Sequence, residues 1–260
     1  MSFSAGAVLA MAALTSHDLY LKLIPYQPSP GDMLRVEYHN GDSFPNSQVS
    51  TKIDRLKDTR IEGGKDFFQF RVEGTATVAD AKAPVNAGNF VAISRTVPNF
   101  IQLDAPKFEE YLKHEGLDSI IEWRKQNGET AKPGREIYSK YAKAVGVVSI
   151  TSDGYAKPAG LTIEFIPMLN PYEIRPGFTL PVQVWFRGKP APGLTVEASN
   201  ASNGEVTKTI VGKTDLNGQI LIPIPKSGLW KLHTIQMERR ADTKEADWES
   251  FWASLTFEIQ

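Results

Sequence analysis

The stretch "GKTDLNGQILIPIPKSGLWKL", at residues 212–232, decides the fold of the C-terminal part of this chain. Asn217 and Gly218 both tolerate left-handed backbone dihedrals, so the residues around them predict a tight turn. The run "QILIPIP" that follows alternates with a period of two, which is typical of a β-strand. Gly228 then precedes a further strand and lets the indole of Trp230 turn into the core. This order of turn, strand, glycine and strand predicts an antiparallel sheet.

The same pattern extends through residues 159–260, where alternating runs are bounded by turn residues. In chain order the runs are "GLTIEFIP", "TLPVQVWF", "LTVEAS", "TKTIVGKT", "QILIPIP", "LWKLHTIQM" and "ASLTFEI". They predict a seven-stranded C-terminal β-sandwich, which resembles the immunoglobulin-like and prealbumin-like or carboxypeptidase-regulatory-like sandwiches. We expect Trp185 and Trp230 to be largely buried in it, and Trp248 and Trp252 to cover its open end.

Residues 17–104 show the same period in the runs "DLYLKLIP", "DMLRVEYH", "DFFQFRVEG" and "NFVAISRTV". They predict an N-terminal β-sandwich, because alternation between Gly, Pro and Asn residues is typical of antiparallel sheets with one wet face. Residues 105–158 change character and predict a helical segment and linker. Three short amphipathic helices are expected there: one that ends at Gly116, one that starts near Asp118, and one over residues 135–144. The predicted fold is therefore mainly β, with two β-sandwich domains and a short helical segment between them.

Composition excludes several classes of function. The chain has 260 residues, a net charge of −1 and no cysteine. The balanced charge gives no overall field that favours nucleic acid or an anionic membrane. The lack of cysteine excludes disulfides, thiolate metal sites and thiol nucleophiles.

Residues 1–16 have the features of a signal peptide. The run "GAVLAMAAL" is short, apolar and followed by small residues, and it is too short to span a bilayer. It predicts a periplasmic or secreted protein whose mature chain begins between Ala13 and His17 and contains no membrane span. No Lys or Arg precedes the run, so the natural start could lie upstream, and a flexible apolar tail is the alternative interpretation.

The candidate metal ligands are His17, His39 and His233, and the carboxylates of Asp18 and Asp42 are further candidates. If processing makes His17 the first residue, its imidazole and its α-amine can chelate one ion of nickel, cobalt or copper. His39 ends a strand expected to neighbour the one that His17 opens, and His233 is the reserve ligand. The chain has no HxH or HxxxH spacing. The alternative is therefore that these histidines are ordinary strand residues and that the protein binds no metal.

Several segments together resemble one bacterial family, the domain of unknown function 4198. They are "HDLYL", "GDMLRVEYHNGDSFP", "FEEYLKHEGLDSIIEWR", "GREIYSKYAKA", "GLTIEFIPMLNPYEIRPG" and "DWESFWASLTFEI". Descriptions of that family relate it to periplasmic components of nickel and cobalt uptake, so the resemblance implies a membrane transporter component as partner. The chain departs from the family pattern at Gln236, and at Asp42 and Ser43, where members often carry histidine.

Motifs of catalysis are missing from the sequence. It contains no Gly-x-Ser-x-Gly elbow, phosphate-binding loop or dinucleotide-binding glycine pattern, which predicts a protein that is not an enzyme. The leading hypothesis is a secreted or periplasmic binding protein, an accessory of nickel or cobalt uptake or handling. The alternative is an envelope module that is structural, or that binds protein or carbohydrate, without metal.

Overall fold

The computed structural model describes residues 18–41, 43–63 and 70–260. These residues form seventeen β-strands and two α-helices. The strands are, in chain order, β1 (Leu19–Ile24), β2 (Met33–Asn40), β3 (Val49–Ser50), β4 (Leu56–Ile61), β5 (Arg71–Glu73), β6 (Ala76–Lys82), β7 (Gly88–Thr96), β8 (Asn99–Leu103), β9 (Gly134–Val148), β10 (Ile163–Pro167), β11 (Phe178–Phe186), β12 (Lys189–Pro190), β13 (Thr195–Ser202), β14 (Glu205–Lys213), β15 (Gln219–Ile224), β16 (Gly228–Arg239) and β17 (Trp248–Ile259). The helices are α1 (Ala105–His114) and α2 (Asp118–Gln126). This content confirms the prediction of a mainly β protein.

Hydrogen bonds join the described strands into three sheets. The largest has eight strands in the order β14, β13, β16, β17, β9, β7 and β4, with β8 also paired to β9. A five-stranded sheet has the order β1, β2, β6 and β5, with β3 on β2. A four-stranded sheet contains β10, β11 and β12, with β15 on β11. Strand β17 pairs in parallel with β9, with Trp252 opposite Lys140, and so joins the two halves of the chain.

The eight-stranded sheet lies between the other two sheets. On β17, Phe251 and Leu255 belong to the core shared with the four-stranded sheet. Ser254 and Thr256 lie on the opposite face, because successive side chains of a strand alternate. Both hydroxyls donate to β1 of the five-stranded sheet, and Ser254 Oγ reaches the carbonyl of Leu19 at 2.6 Å. The middle of the eight-stranded sheet is therefore covered on both faces.

The prediction of β-sandwiches is confirmed, but the arrangement of their sheets differs from the predicted one. All seven runs predicted in residues 159–260 form strands, and β12 is a short addition to them. However, the two sandwiches share the eight-stranded sheet instead of each having two sheets of its own. The N-terminal run "DFFQFRVEG" is described only from residue 70 onward. Residues 1–17 lie outside the described residues, and the domain boundaries stay a prediction.

The prediction of three helices is confirmed for the first two and wrong for the third. Helix α1 ends before Gly116, which takes a positive φ of 66°, and α2 begins at Asp118. The third predicted helix, over residues 135–144, is instead part of β9. The order of apolar and polar residues in this segment fits the period of a helix as well as that of a strand. Hydrogen-bonded pairing with β17, β7 and β8 stabilises the strand. Within the described residues, no helix has the length and apolar character needed to cross a membrane.

The tryptophan predictions are correct for Trp230, hold only in part for Trp185, and are wrong for Trp248 and Trp252. Trp230 is buried as expected. Trp185 is only partly buried, because Val182 and Val184 fix the inward face of β11 and place residue 185 on the outer one. Trp248 and Trp252 do not cover the end of a sandwich. They lie in a core cluster with side chains from both helices. This cluster packs the helices against the eight-stranded sheet.

Candidate functional site

The first set of candidate residues is the histidines predicted as metal ligands. His17 lies outside the described residues. His39 is buried on β2, and both of its ring nitrogens have partners: Nδ1 lies 2.9 Å from Ser47 Oγ, and Nε2 lies 2.9 Å from Glu37 Oε2. Its ring stacks on Tyr20 at a centroid distance of 5.1 Å. A metal ion could bind His39 only by displacing one of these hydrogen bonds.

His233 is the centre of a buried ionic cluster. Its Nδ1 lies 3.3 Å from Asp18 Oδ1, and its Nε2 lies 3.3 Å from Glu115 Oε2. Lys231 donates to the other oxygen of Asp18 at 2.5 Å. Burial lowers the pKa of His233, but the carboxylates of Asp18 and Glu115 outweigh burial and leave the pKa raised. Burial raises the pKa of Asp18, and the nearby His233 and Lys231 reverse that effect and leave it lowered. The cluster is therefore held together by opposite charges.

The structure brings together only part of the predicted metal set. Asp18, the residue after His17, contacts His233, whereas His39 has a separate set of partners. Asp42 lies outside the described residues. Among the residues that the structure describes, no group of three or more His, Cys, Asp or Glu side chains is arranged to hold a metal ion. The site formed by His17, His39 and His233 stays a prediction.

A second candidate site is a cavity of about 440 Å³ beside β9. We call it the β9 cavity. Its floor contains Glu136, Tyr138 and Lys140, which project from the same face because they alternate along the strand. The neighbouring strands β8 and β17, the segment after β3, and helix α1 form its walls. Trp252 and Tyr111 supply aromatic surface, and their rings stack at 5.9 Å with an angle of 2° between planes.

Arg55 is a cationic group at this cavity. One guanidinium nitrogen donates to the Tyr138 hydroxyl at 3.3 Å, and another donates to the Val97 carbonyl at 3.2 Å. Asn99 donates to the same hydroxyl at 2.7 Å and so helps to fix the position of Tyr138. Both acceptors of Arg55 are neutral oxygens. Its positive charge is therefore not cancelled by these contacts, and a planar guanidinium suits carboxylate recognition.

Lys140 adds a second positive charge to the floor of the cavity. Its side chain is buried, and Nζ donates to Asn40 Oδ1 at 3.0 Å. The ammonium group lies 5.4 Å from the ring centroid of Tyr138 and 5.7 Å from that of Trp252. These distances are within the range of cation–π interaction. Lys140 and Arg55 therefore both lie against Tyr138 and make this end of the cavity basic.

Glu136 makes the other end of the cavity acidic. The carboxyl group is buried, and its Oε1 accepts hydrogen bonds from Ser250 and, at 3.2 Å, from Tyr111. Trp252 holds Ser250 in turn, through a 2.8 Å hydrogen bond from the indole. Burial raises the pKa of Glu136 to about 7, against the lowering effect of these hydrogen bonds. Near neutral pH, this carboxyl group can therefore be either ionised or neutral.

Sequence reasoning assigns no site role to Arg55, Glu136, Tyr138 or Lys140. The last three lie in the segment for which the sequence predicts a helix, whereas in the structure they alternate along strand β9. The signal that could have found them is the placement of acid, phenol and amine at positions i, i+2 and i+4. On a strand those positions share one face. Arg55 lies 83 residues before Tyr138, and no local pattern links the two.

Comparisons with solved structures give only weak likenesses. The adhesin InvE of Yersinia pseudotuberculosis is 12% identical with a TM-score of 0.26, over 92% of this chain and 58% of that chain. The present chain thus spans less than two thirds of that structure. The D0-D1 domain of Intimin is 10% identical with a TM-score of 0.22, over 94% of this chain and 98% of that one. These likenesses are too weak to support an inference about the fold or function of this chain.

No curated protein matches the chain. A family model does match it, over residues 14–238, and its description is Domain of unknown function (DUF4198). The match includes β1 to β15 and most of β16, and it contains both the ionic cluster at His233 and the floor of the β9 cavity. Because the model covers far more than half of its length, this protein belongs to the DUF4198 family.

Proposed function

We propose that this protein is a non-enzymatic binding protein that holds a small organic anion in the β9 cavity. One observation carries the proposal: a cavity of about 440 Å³ has Arg55 and Lys140 together at one end. That volume is in the range of ordinary small-molecule sites, which combine apolar walls with a few convergent polar groups. The ligand is bound in the periplasm or outside the cell, and the protein acts beside a membrane transporter.

Electrostatics favour an anion at the basic end. The two hydrogen bonds of Arg55 end on a hydroxyl and a carbonyl, so a ligand carboxylate would be its charged partner. Charge-assisted hydrogen bonds of this kind are about twice as strong as neutral ones. Apolar side chains such as Leu19, Ile101 and Leu103 line other parts of the cavity and suit the body of an organic molecule.

Replacing Arg55 with glutamine tests the proposal. With para-methylbenzoate as the probe, we expect R55Q to raise the dissociation constant measured by isothermal titration about tenfold or more. The reason is that the variant loses the charged hydrogen bonds to the carboxylate. K57Q is the matched control, since Lys57 is an exposed lysine two residues away that does not line the cavity. Binding that R55Q leaves unchanged, or no binding of any small carboxylate by the wild type, would contradict the proposal and favour the envelope interaction module.

Transition-metal handling is the second candidate function. The observation that favours it is the contact of Asp18 with His233, which places the residue after His17 beside one predicted ligand. An α-amine and imidazole at His17 would supply two nitrogen donors for nickel, cobalt or copper. His233 would supply a third after release of one carboxylate partner.

A comparison of two N-termini tests the metal hypothesis. We expect protein that begins at His17 to bind nickel or copper at least about tenfold more tightly than protein with one extra residue before His17, a difference of about 1.4 kcal/mol. The extra residue removes the α-amine from chelating distance and leaves every side chain in place. Equal affinities, or no binding by either form, would exclude a site that uses this amine.

A further inference from the structure

We infer that the β9 cavity takes a zwitterionic ligand, with a carboxylate at Arg55, an ammonium group at Glu136, and an apolar or aromatic body between them. The inference rests on the proposed function, because it assumes that a small anion binds at the basic end. It adds a positively charged group to the proposed ligand. A simple anion would leave the carboxyl group of Glu136 without a cationic partner.

The floor of the cavity sets the separation of the two charges. Glu136 and Tyr138 are two residues apart on β9, so their backbones are about 6.6 Å apart at the rise of a β-strand. Arg55 is held at the Tyr138 hydroxyl, and Lys140 lies two residues further along the same face. Acid and base therefore occupy different ends of one row. A ligand that contacts both needs its ammonium and carboxylate groups separated by a body of several atoms.

Glu136 is suited to an ammonium group because the part of the chain that the structure describes gives its carboxylate no cation. Among the described residues, the groups that contact Glu136 or act on its pKa are Ser250, Tyr111, Trp252 and Glu115, and none of them is a cation. The hydrogen bonds from Ser250 and Tyr111 both end on Oε1 and are neutral. The titratable groups that face it from α1 are Tyr111 and Glu115, and Glu115 opposes its ionisation. A buried carboxylate in such surroundings is stabilised by a cation that the ligand brings.

The aromatic wall suits the body of such a ligand. Trp252 and Tyr111 form one stacked pair on the cavity wall. Trp252 lies opposite Lys140 in the pairing of β17 with β9, and its indole nitrogen points to Ser250 beside Glu136. The indole thus extends from the basic part of the floor toward the acidic part. A flat ring packed on this wall could carry its two charged groups toward Arg55 and Glu136.

Isothermal titration with matched probes tests the inference. Para-aminomethylbenzoate carries both charged groups, and para-methylbenzoate lacks only the ammonium group. At about pH 8, where Glu136 is ionised, we expect the first probe to bind at least about tenfold more tightly than the second. E136Q should remove this difference and bring its affinities for the two probes within about threefold of each other. E110Q is the matched control, since Glu110 is exposed on α1 and does not line the cavity.

The outcomes separate this inference from the proposed function. If para-methylbenzoate binds and the ammonium group adds nothing, the zwitterionic ligand is wrong and the anion site stands. If neither probe binds the wild type, both proposals fail. The preference should also shrink at about pH 6, because protonation of Glu136 removes its charge. Equal preference at both pH values, or a preference that survives in E136Q, would overturn the role of Glu136. The wild-type comparison remains decisive if E136Q does not fold.

Discussion

Replacing Lys143 with methionine is expected to lower the free energy of unfolding by about 3–5 kcal/mol. Lys143 Nζ lies 2.8 Å from Glu164 Oε2 and donates to the Phe165 carbonyl at 3.0 Å. Both charged side chains are almost completely buried, at 1% and 2% exposure. The pair links β9 of the eight-stranded sheet to β10 of the four-stranded sheet. Without the lysine, the carboxylate of Glu164 would stay buried with only backbone donors.

Urea denaturation followed by circular dichroism measures this effect. K157M is the matched control, since Lys157 is exposed and should change stability by no more than about 0.5 kcal/mol. The double variant K143M/E164L should regain much of the loss, because a buried ion pair can be replaced by apolar residues more easily than broken. A loss of less than about 1 kcal/mol in K143M would show that the pair does not hold the sheets together.

The strands of the C-terminal part could be predicted because their two faces differ. In β15, for example, Ile220, Ile222 and Ile224 face the core, and the residues between them face outward. Turn residues such as Asn217 and Gly218 mark the boundary before this strand. No local pattern in the sequence shows that β17 pairs in parallel with β9. Parallel pairing between distant segments leaves no local pattern, and a strand buried on both faces has no polar face to identify it.

Strand β9 shows why the candidate site could not be predicted. Its alternate residues Glu136, Tyr138 and Lys140 are polar or amphipathic, although Glu136 and Lys140 are buried and Tyr138 is half-buried. A strand that lines a polar cavity does not alternate between apolar and charged residues. The local pattern therefore matched a helix as well as a strand. The remaining cationic group, Arg55, reaches the cavity only through tertiary structure.

The contacts of the predicted histidine ligands could not be predicted from the sequence. The strand that carries His233 could be predicted from the alternation of its residues, but the partners of His233 could not. Asp18 and Lys231 are 213 residues apart in sequence, and Glu115 comes from the end of α1. An imidazole between two carboxylates is a stable buried ion cluster in its own right. Its position alone therefore does not require a metal ion.

Replacing Asp18 with asparagine is expected to destabilise the protein by about 3–5 kcal/mol between roughly pH 4 and pH 6.5. Asp18 is the charged partner of both Lys231 and His233, and all three side chains are buried. Asparagine has a similar shape and cannot balance either positive charge. The cluster joins the start of β1 to β16, so its loss should also loosen the N-terminal strand.

The pH dependence distinguishes this ionic role from simple packing. The folded-state pKa of Asp18 is lowered, so its contribution is present above its unfolded pKa and is lost as pH falls through the folded value. The pKa of His233 is raised, so its contribution is full below its unfolded pKa and is lost as pH rises through the folded value. The stability difference between wild type and D18N should therefore be largest between about pH 4 and 6.5, and smaller on either side. Urea unfolding across this range measures it, with D32N as the exposed control. A difference that stays constant with pH would mean that Asp18 contributes through its shape and hydrogen bonds, and that the charges of this cluster do not stabilise the fold.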